Sequence, residues 1–124
     1  MNLNLTEDQR LLSDTFARLF QHESTPARIR AAEPVGFDHA LWRQLVEMGV
    51  PLMRVPEESG GAGFGLMDAA ILVEEAGRHL ASVPVIETLI VGRLLADSGN
   101  AEVSAEWVEQ FSSGSALISM AMVD

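Results

Sequence analysis

At 124 residues, with a formal net charge of −10 and no cysteine, the chain suits one folded domain and excludes disulfide frameworks, thiolate catalysis and cysteine-based zinc sites. All eight bases are arginines spread from Arg10 to Arg93, so no basic stripe is offered to a nucleic acid, and neither a phosphate-loop lysine nor a Schiff-base lysine is available. Hydrophobic residues reach 48% and mean hydropathy +0.16, apolar for so small a domain, which predicts surface reserved for a partner.

In chain order, Thr6 and Gln9 form a capping-box pattern ahead of a helix over about Glu7 to His22, with Leu11, Leu12, Thr15, Phe16, Leu19 and Phe20 on its apolar face. Thr25 and Pro26 are N-cap and first turn of a short helix, PARIRAAE, ended by Pro34. Asp38 caps HALWRQLVEM, whose stripe is Leu41, Trp42, Leu45 and Val46, and Gly49 supplies the left-handed residue after it. PLMRVP is too short and proline-punctuated for regular structure, and EESGGAGFG reads as a flexible loop. A long helix from Leu66 to about Leu80 is apolar around most of its circumference. Pro84 opens another, PVIETLIVGRLLAD, closed by Ser98, Gly99 and Asn100. A last helix, AEWVEQFSS, begins near Ser104 and is closed by Gly114. The final stretch, SALISMAMVD, is apolar on both faces, as a strand buried on both sides is.

No apolar run approaches the ~20 residues of a bilayer span. The opening MNLNLTEDQR carries no signal-peptide pattern, so the expected location is the cytoplasm.

Few residues suggest chemistry. The glycines of SGGAGFG invite a phosphate-loop reading, but the third glycine of a dinucleotide fingerprint would fall at Leu66 and no strand precedes it; a structural turn is the stronger reading. Glu75 and His79 stand one helical turn apart, yet the chain contains no Glu-x-x-His, so no metal site is assigned and an ion-paired helix end with Arg78 is expected. No Ser-His-acid arrangement can be built, and no catalytic residue is assigned. Met48, Met53 and Met67 read as core filler. Glu87 and Arg93 interrupt the helix after Pro84 and suggest that it borders a polar cavity or an interface.

Together, LTEDQRLL, GFDHALWRQLVEMGV, VPEESGGAGFG, DAAILVEEAGRHLASVPVIET and SGSALISMAMVD resemble the N-terminal helical domain of the acyl-CoA dehydrogenase family. GRHLASVPVIET is similar to a bacterial branch acting on bulky or degradative-pathway acyl-CoAs. The resemblance covers essentially the whole chain. It implies an all-α, orthogonally packed domain of about five to six helices over residues 1–114, with a single C-terminal β-strand, 115–124, as the first strand of a β-domain that the sequence does not contain.

The resemblance also implies FAD-dependent α,β-desaturation of a CoA thioester, with the β-hydrogen passing as hydride to the flavin. A β-domain and a second helical bundle would supply the base and most flavin contacts, so the 124 residues alone are expected to be inactive. Electron-transfer flavoprotein is a candidate partner, and a homo- or hetero-oligomer is implied.

By register, Met120, Met122 and Val123 occupy flavin-contact positions, Val123 lacking the hydroxyl of the threonine often found there, and Asp124 stands where the family generally has Glu. Pro84, Val85, Thr88, Leu89 and Val91 are the implied contacts for the far end of the acyl chain. Two other readings remain open at this stage: a non-catalytic helical module that binds a polypeptide through its strand edge, and a related flavin-dependent oxidase or hydroxylase.

Overall fold

A computed structural model describes residues 4–121. Six α-helices lie among them: α1 (Glu7–Glu23), α2 (Pro26–Ala32), α3 (His39–Glu47), α4 (Leu66–Arg78), α5 (Val85–Asp97) and α6 (Ala101–Ser112), with 3-10 turns at Val50–Leu52 and Glu57–Ser59. The starts of α1 to α3 follow the cap residues legible in the sequence. Thr6 Oγ1 accepts from the Gln9 N–H at 3.1 Å while Gln9 Oε1 accepts from the Thr6 N–H at 3.1 Å, so two otherwise orphaned donors are satisfied reciprocally. Thr25 and Asp38 accept from the amides of Arg28 and Leu41 in the same way.

α1 and α4 make the most extensive helix pair, and their cross-links fix its direction. Gln9 Nε2 donates to Asp68 Oδ1 at 3.1 Å, Ser13 Oγ lies 3.5 Å from Glu75 Oε1, and Ser24 Oγ donates to the His79 carbonyl at 2.9 Å. Partners advance together along both helices, which therefore run in the same direction. Between and beneath them lies the core of Phe16, Phe20, Leu41, Trp42, Leu45, Leu72 and Leu89 with smaller neighbours. Burying each large apolar side chain contributes roughly 1.5–3 kcal/mol.

Arg28 ties α2 to α3. Its guanidinium forks onto Asp38 at 2.9 and 3.1 Å and also meets Glu23. Burial alone would raise the Asp38 carboxyl, but the Leu41 amide and the Arg28 guanidinium outweigh it and hold the group below its ordinary value. A carboxyl depressed on folding contributes stability that is present above its unfolded pKa, about 3.9, and is lost as pH falls through the lower folded value. Unfolding free energy measured by urea titration should therefore fall below about pH 4, and Asp38→Asn, which keeps the cap, should flatten that part of the profile while costing about 1 kcal/mol at neutral pH through the lost charge opposite Arg28.

Five sequence expectations change. Leu11 and Thr15 are exposed rather than part of the packed face of α1, and Met48 and Met67 sit at the surface, leaving Met53 alone of the three methionines in the core. α6 starts at Ala101, earlier than expected, because Asn100 is its N-cap, with Oδ1 accepting from the Val103 amide at 3.1 Å, and not the end of α5. The glycine loop is pinned, since the amides of Ala62, Gly63 and Phe64 donate to the carbonyls of Leu52, Val55 and Met53 at 2.8–3.0 Å. Finally, no strand occurs among the described residues. Ser115 and Ala116 donate back to the Gln110 carbonyl, and Leu117 to Ala121 make no backbone hydrogen bond to another described residue. A strand exists only as part of a ladder, and no partner is present among these residues; residues 122–124 of the expected strand lie outside the described residues.

Candidate functional site

The α4–α5 corner is where local sequence and surface disagree most. α4 ends in a Schellman arrangement: the Ala81 amide donates to the Ala76 carbonyl at 2.9 Å, with Leu80 at the position usually held by glycine. Leu80 has φ 51°, the left-handed region, and among the described residues it is the one non-glycine there. That conformation costs a β-carbon-bearing residue roughly 1–2 kcal/mol. Its side chain is nonetheless 69% exposed, so burial does not offset the strain.

Gly77, three residues earlier, is the last residue but one of α4. Nothing stands within 4 Å of where its Cβ would be. Neither a turn nor a close approach within the described chain requires glycine there.

These two residues line a groove of about 310 Å³ between the end of α4 and the start of α5, with Val73, Ala81, Val83, Val85 and Ile86 among its walls and Glu87 as its one charged residue. The apolar surface continues outward along both helices. Leu66 and Leu80 are exposed on and just beyond α4, and Ile86, Ile90 and Leu94 recur every four residues on α5, each at least 40% exposed. α5 is apolar on two faces, one packed and one bare.

Of the acyl-contact positions expected from the sequence, Val85 lines this groove. Val85 is itself buried in the core together with Leu89, one turn further along the same helix face, and Thr88 and Val91 are buried as well; the Thr88 hydroxyl donates to the Pro84 carbonyl at 2.6 Å. Pro84 caps the helix and is half-buried. Gly77, Leu80 and Ile86 were not among the expected positions. The four-residue spacing of Ile86, Ile90 and Leu94 was the available signal; that they stand on the uncovered face was not readable from spacing.

Among the described residues one carboxylate is buried, that of Glu75, 7% exposed. It faces Ser13, with Arg78 Nε at 3.6 Å and His79 Nδ1 at 3.8 Å, a structural tie between α1 and α4. Arg78 also pairs with Glu74 at 2.7 Å. No group of three or more His, Asp or Glu side chains is placed to hold a metal among the described residues, and none of their helices is long and apolar enough to cross a membrane. A separate apolar cavity of about 400 Å³ opens between α1 and the Val50–Leu52 turn, walled by Leu11, Phe16, Met48, Met53 and Phe64; it shares no residue with α4 or α5.

A family model described as "Acyl-CoA dehydrogenase, N-terminal domain" matches residues 6–115. The chain belongs to the acyl-CoA dehydrogenase family. It is 37% identical over 108 residues to the acyl-CoA dehydrogenase IpdE2 of Mycolicibacterium smegmatis, a match covering 85% of this chain and 35% of that protein. Among solved structures it is similar to a variant of the Tcur3481-Tcur3483 steroid ACAD, at 35% identity and a TM-score of 0.78 over 88% of this chain and 30% of that one. It is similar also to the ChsE4-ChsE5 complex of Mycobacterium tuberculosis, at 29% identity and a TM-score of 0.81 over 92% of this chain and 32% of that one. The chain spans about a third of the length of these proteins.

The family's flavin can be tested against the residues present. Of the three expected contacts, Met120 is exposed on the extended end segment, and Met122 and Val123 lie outside the described residues. Among the described residues the amides of Leu117 to Ala121 find no backbone partner, and such amides are donors of the kind a flavin edge requires. The described residues offer that one edge and do not enclose a flavin.

Proposed function

We propose that the chain is the N-terminal helical part of an FAD-dependent acyl-CoA dehydrogenase that desaturates a CoA thioester between its α and β carbons, and that the α4–α5 corner receives the far end of the acyl group. The observation that carries this is the uncovered apolar groove at that corner, continuous with the bare stripe of α5. Its volume, ~310 Å³, lies at the small end of ligand sites, about 300–1,000 Å³. A hydrocarbon end requires desolvated apolar walls and no compensating charge, and all but one of the lining residues meet that need. Among the residues inferred from the family, Val85 borders the groove while packed in the core, and Pro84, Thr88, Leu89 and Val91 support α5 beside it. The word "steroid" in the description of one similar structure supports a bulky acyl group.

In this reading residues 1–114 form the helical domain, and 115–124 pair as the first strand of a β-domain that brings the flavin against Met120, Met122 and Val123. FAD, when bound, accepts the β-hydrogen as hydride. No residue of this chain is assigned as the base, and Glu75 is engaged with Ser13, Arg78 and His79. The unpaired amides of the end segment and the uncovered cavity beside α1 are the docking edges for the rest of the protein. Electron-transfer flavoprotein is the proposed acceptor, and the complex named for one similar structure supports an oligomer.

The test is a pair of purifications. The whole protein should carry a flavin absorbance band and reduce an artificial acceptor with an acyl-CoA, whereas residues 1–124 alone should do neither. Turnover by the 124-residue chain, or a whole protein that binds no flavin, would refute the assignment.

A further inference from the structure

We propose that the cavity at the α5–α6 corner is a docking site for a lysine side chain presented by another polypeptide in a basic segment. Neither the acyl site nor the flavin is involved. The cavity holds about 380 Å³ between the Glu57–Ser59 turn and the start of α6, and its walls include the polar side chains of Glu58, Ser59, Asn100 and Ser104 and the small ones of Ala96 and Ala105. Ser104 is 8% exposed, yet its hydroxyl has no partner among the described residues. A hydroxyl within a helix can bond the carbonyl four residues back, as those of Thr15 and Thr88 do. That of Ser104 does not, and it is left for whatever enters the cavity.

Charge identifies the occupant as a cation. Glu58 has no ion pair among the described residues, and Arg93, which feels its charge, is taken by Asp97 at 2.7 Å. From residue 79 to 124 the sequence holds one arginine and no lysine against six acids, of which Glu102, Glu106 and Glu109 stand exposed on α6. Such a field draws a basic partner. Lysine suits the lining better than arginine, because its stem packs on small apolar walls while its three N–H donors reach separate acceptors, here one carboxylate and two hydroxyls; the arginine fork requires a single carboxylate met edge-on. No lysine occurs in the chain, so a second copy of these residues cannot supply it. The cavity also lies at the start of α6, whereas the end segment leaves from that helix's other end, which favours a separate polypeptide as the source.

The whole protein is to be titrated by calorimetry, at low ionic strength, with acetylated tetralysine amide and with acetylated tetraarginine amide. Tetralysine should bind, and more tightly than tetraarginine. Glu58→Gln should weaken tetralysine binding about tenfold, the loss expected for a charge-assisted hydrogen bond, whereas Glu109→Gln, the same charge change on α6 outside the lining, should change it by about twofold or less. Ala105→Leu, which fills the cavity from an exposed helical position, should bring tetralysine down to the level of tetraarginine with the melting temperature unchanged. Equal affinity of the two peptides for the unaltered protein, or equal losses in Glu58→Gln and Glu109→Gln, would reveal a diffuse acidic surface and overturn the inference. Absence of tetralysine binding to the whole protein would overturn it as well. Acyl-CoA oxidation is not the readout, so each of these outcomes leaves the dehydrogenase reading where it stands.

Discussion

Gly61→Ala is expected to destabilise the domain by about 3 kcal/mol or more, the upper end of overpacking effects. A Cβ at position 61 would stand 2.1 Å from the Val55 carbonyl oxygen and 2.4 Å from the Val55 Cβ. Neither can retreat easily. Val55 is fully buried, and its carbonyl oxygen is held by the Gly63 amide at 2.9 Å. Relief would require opening the ladder between residues 52–55 and 61–64, exposing backbone groups that have no other partner. Urea unfolding of residues 1–124 provides the measurement, with Gly77→Ala as the contrasting variant, which should be neutral or stabilising because the space around it is empty. Equal stability of the two variants would show that the loop yields, contrary to the packing described.

Phe20→Ala carries the second large effect, a loss of about 3–5 kcal/mol. Phe20 has no exposed surface and stacks between Phe16, at 6.1 Å between ring centroids, and the His79 imidazole, at 6.3 Å. It is the point at which α1 meets the end of α4, close to the Ser24–His79 bond. Truncation removes transfer free energy and leaves a cavity walled by residues already held by caps and cross-links, which limits collapse. Against a total stability of 5–15 kcal/mol for an ordinary domain, such a loss would leave a marginal fold. Leu11→Ala, on the same helix but exposed, should change stability by less than about 0.5 kcal/mol; comparable losses at the two positions would contradict the orientation of α1.

Most of the helical plan was legible because its signals are local. A capping box spans four residues, a left-handed glycine ends a helix by its own φ, and the spacing of Phe16 and Phe20, or of Leu41 and Leu45, places side chains on one face whatever that face meets. Family membership was legible for a related reason, since the motifs VPEESGGAGFG and VEEAGRHLASVPVIET lie in one continuous stretch. The misplaced start of α6 was a local signal misassigned: Asn100 serves as well to end one helix as to cap the next, and the Val103 hydrogen bond decides between them.

The site was less legible. α5 is apolar over most of its surface, and periodicity cannot say which side of such a helix another element covers. Thr88, Leu89 and Val91 were among the positions expected at the acyl group; they lie on the buried side of α5, and Ile86, Ile90 and Leu94 on its bare side.

The amino-acid order thus settled where the helices begin and end and which family they belong to, because caps, turns and periodic faces act over a few residues. Which apolar faces are packed and which stay bare was settled by folding alone, because coverage depends on elements far apart in the chain: α4 lies along α1, and that arrangement leaves the outer sides of α4 and α5 open. The end segment obeys the same rule. Its apolar residues favour a strand, but a ladder needs a neighbour, and without one among the described residues Leu117 to Ala121 remain unpaired.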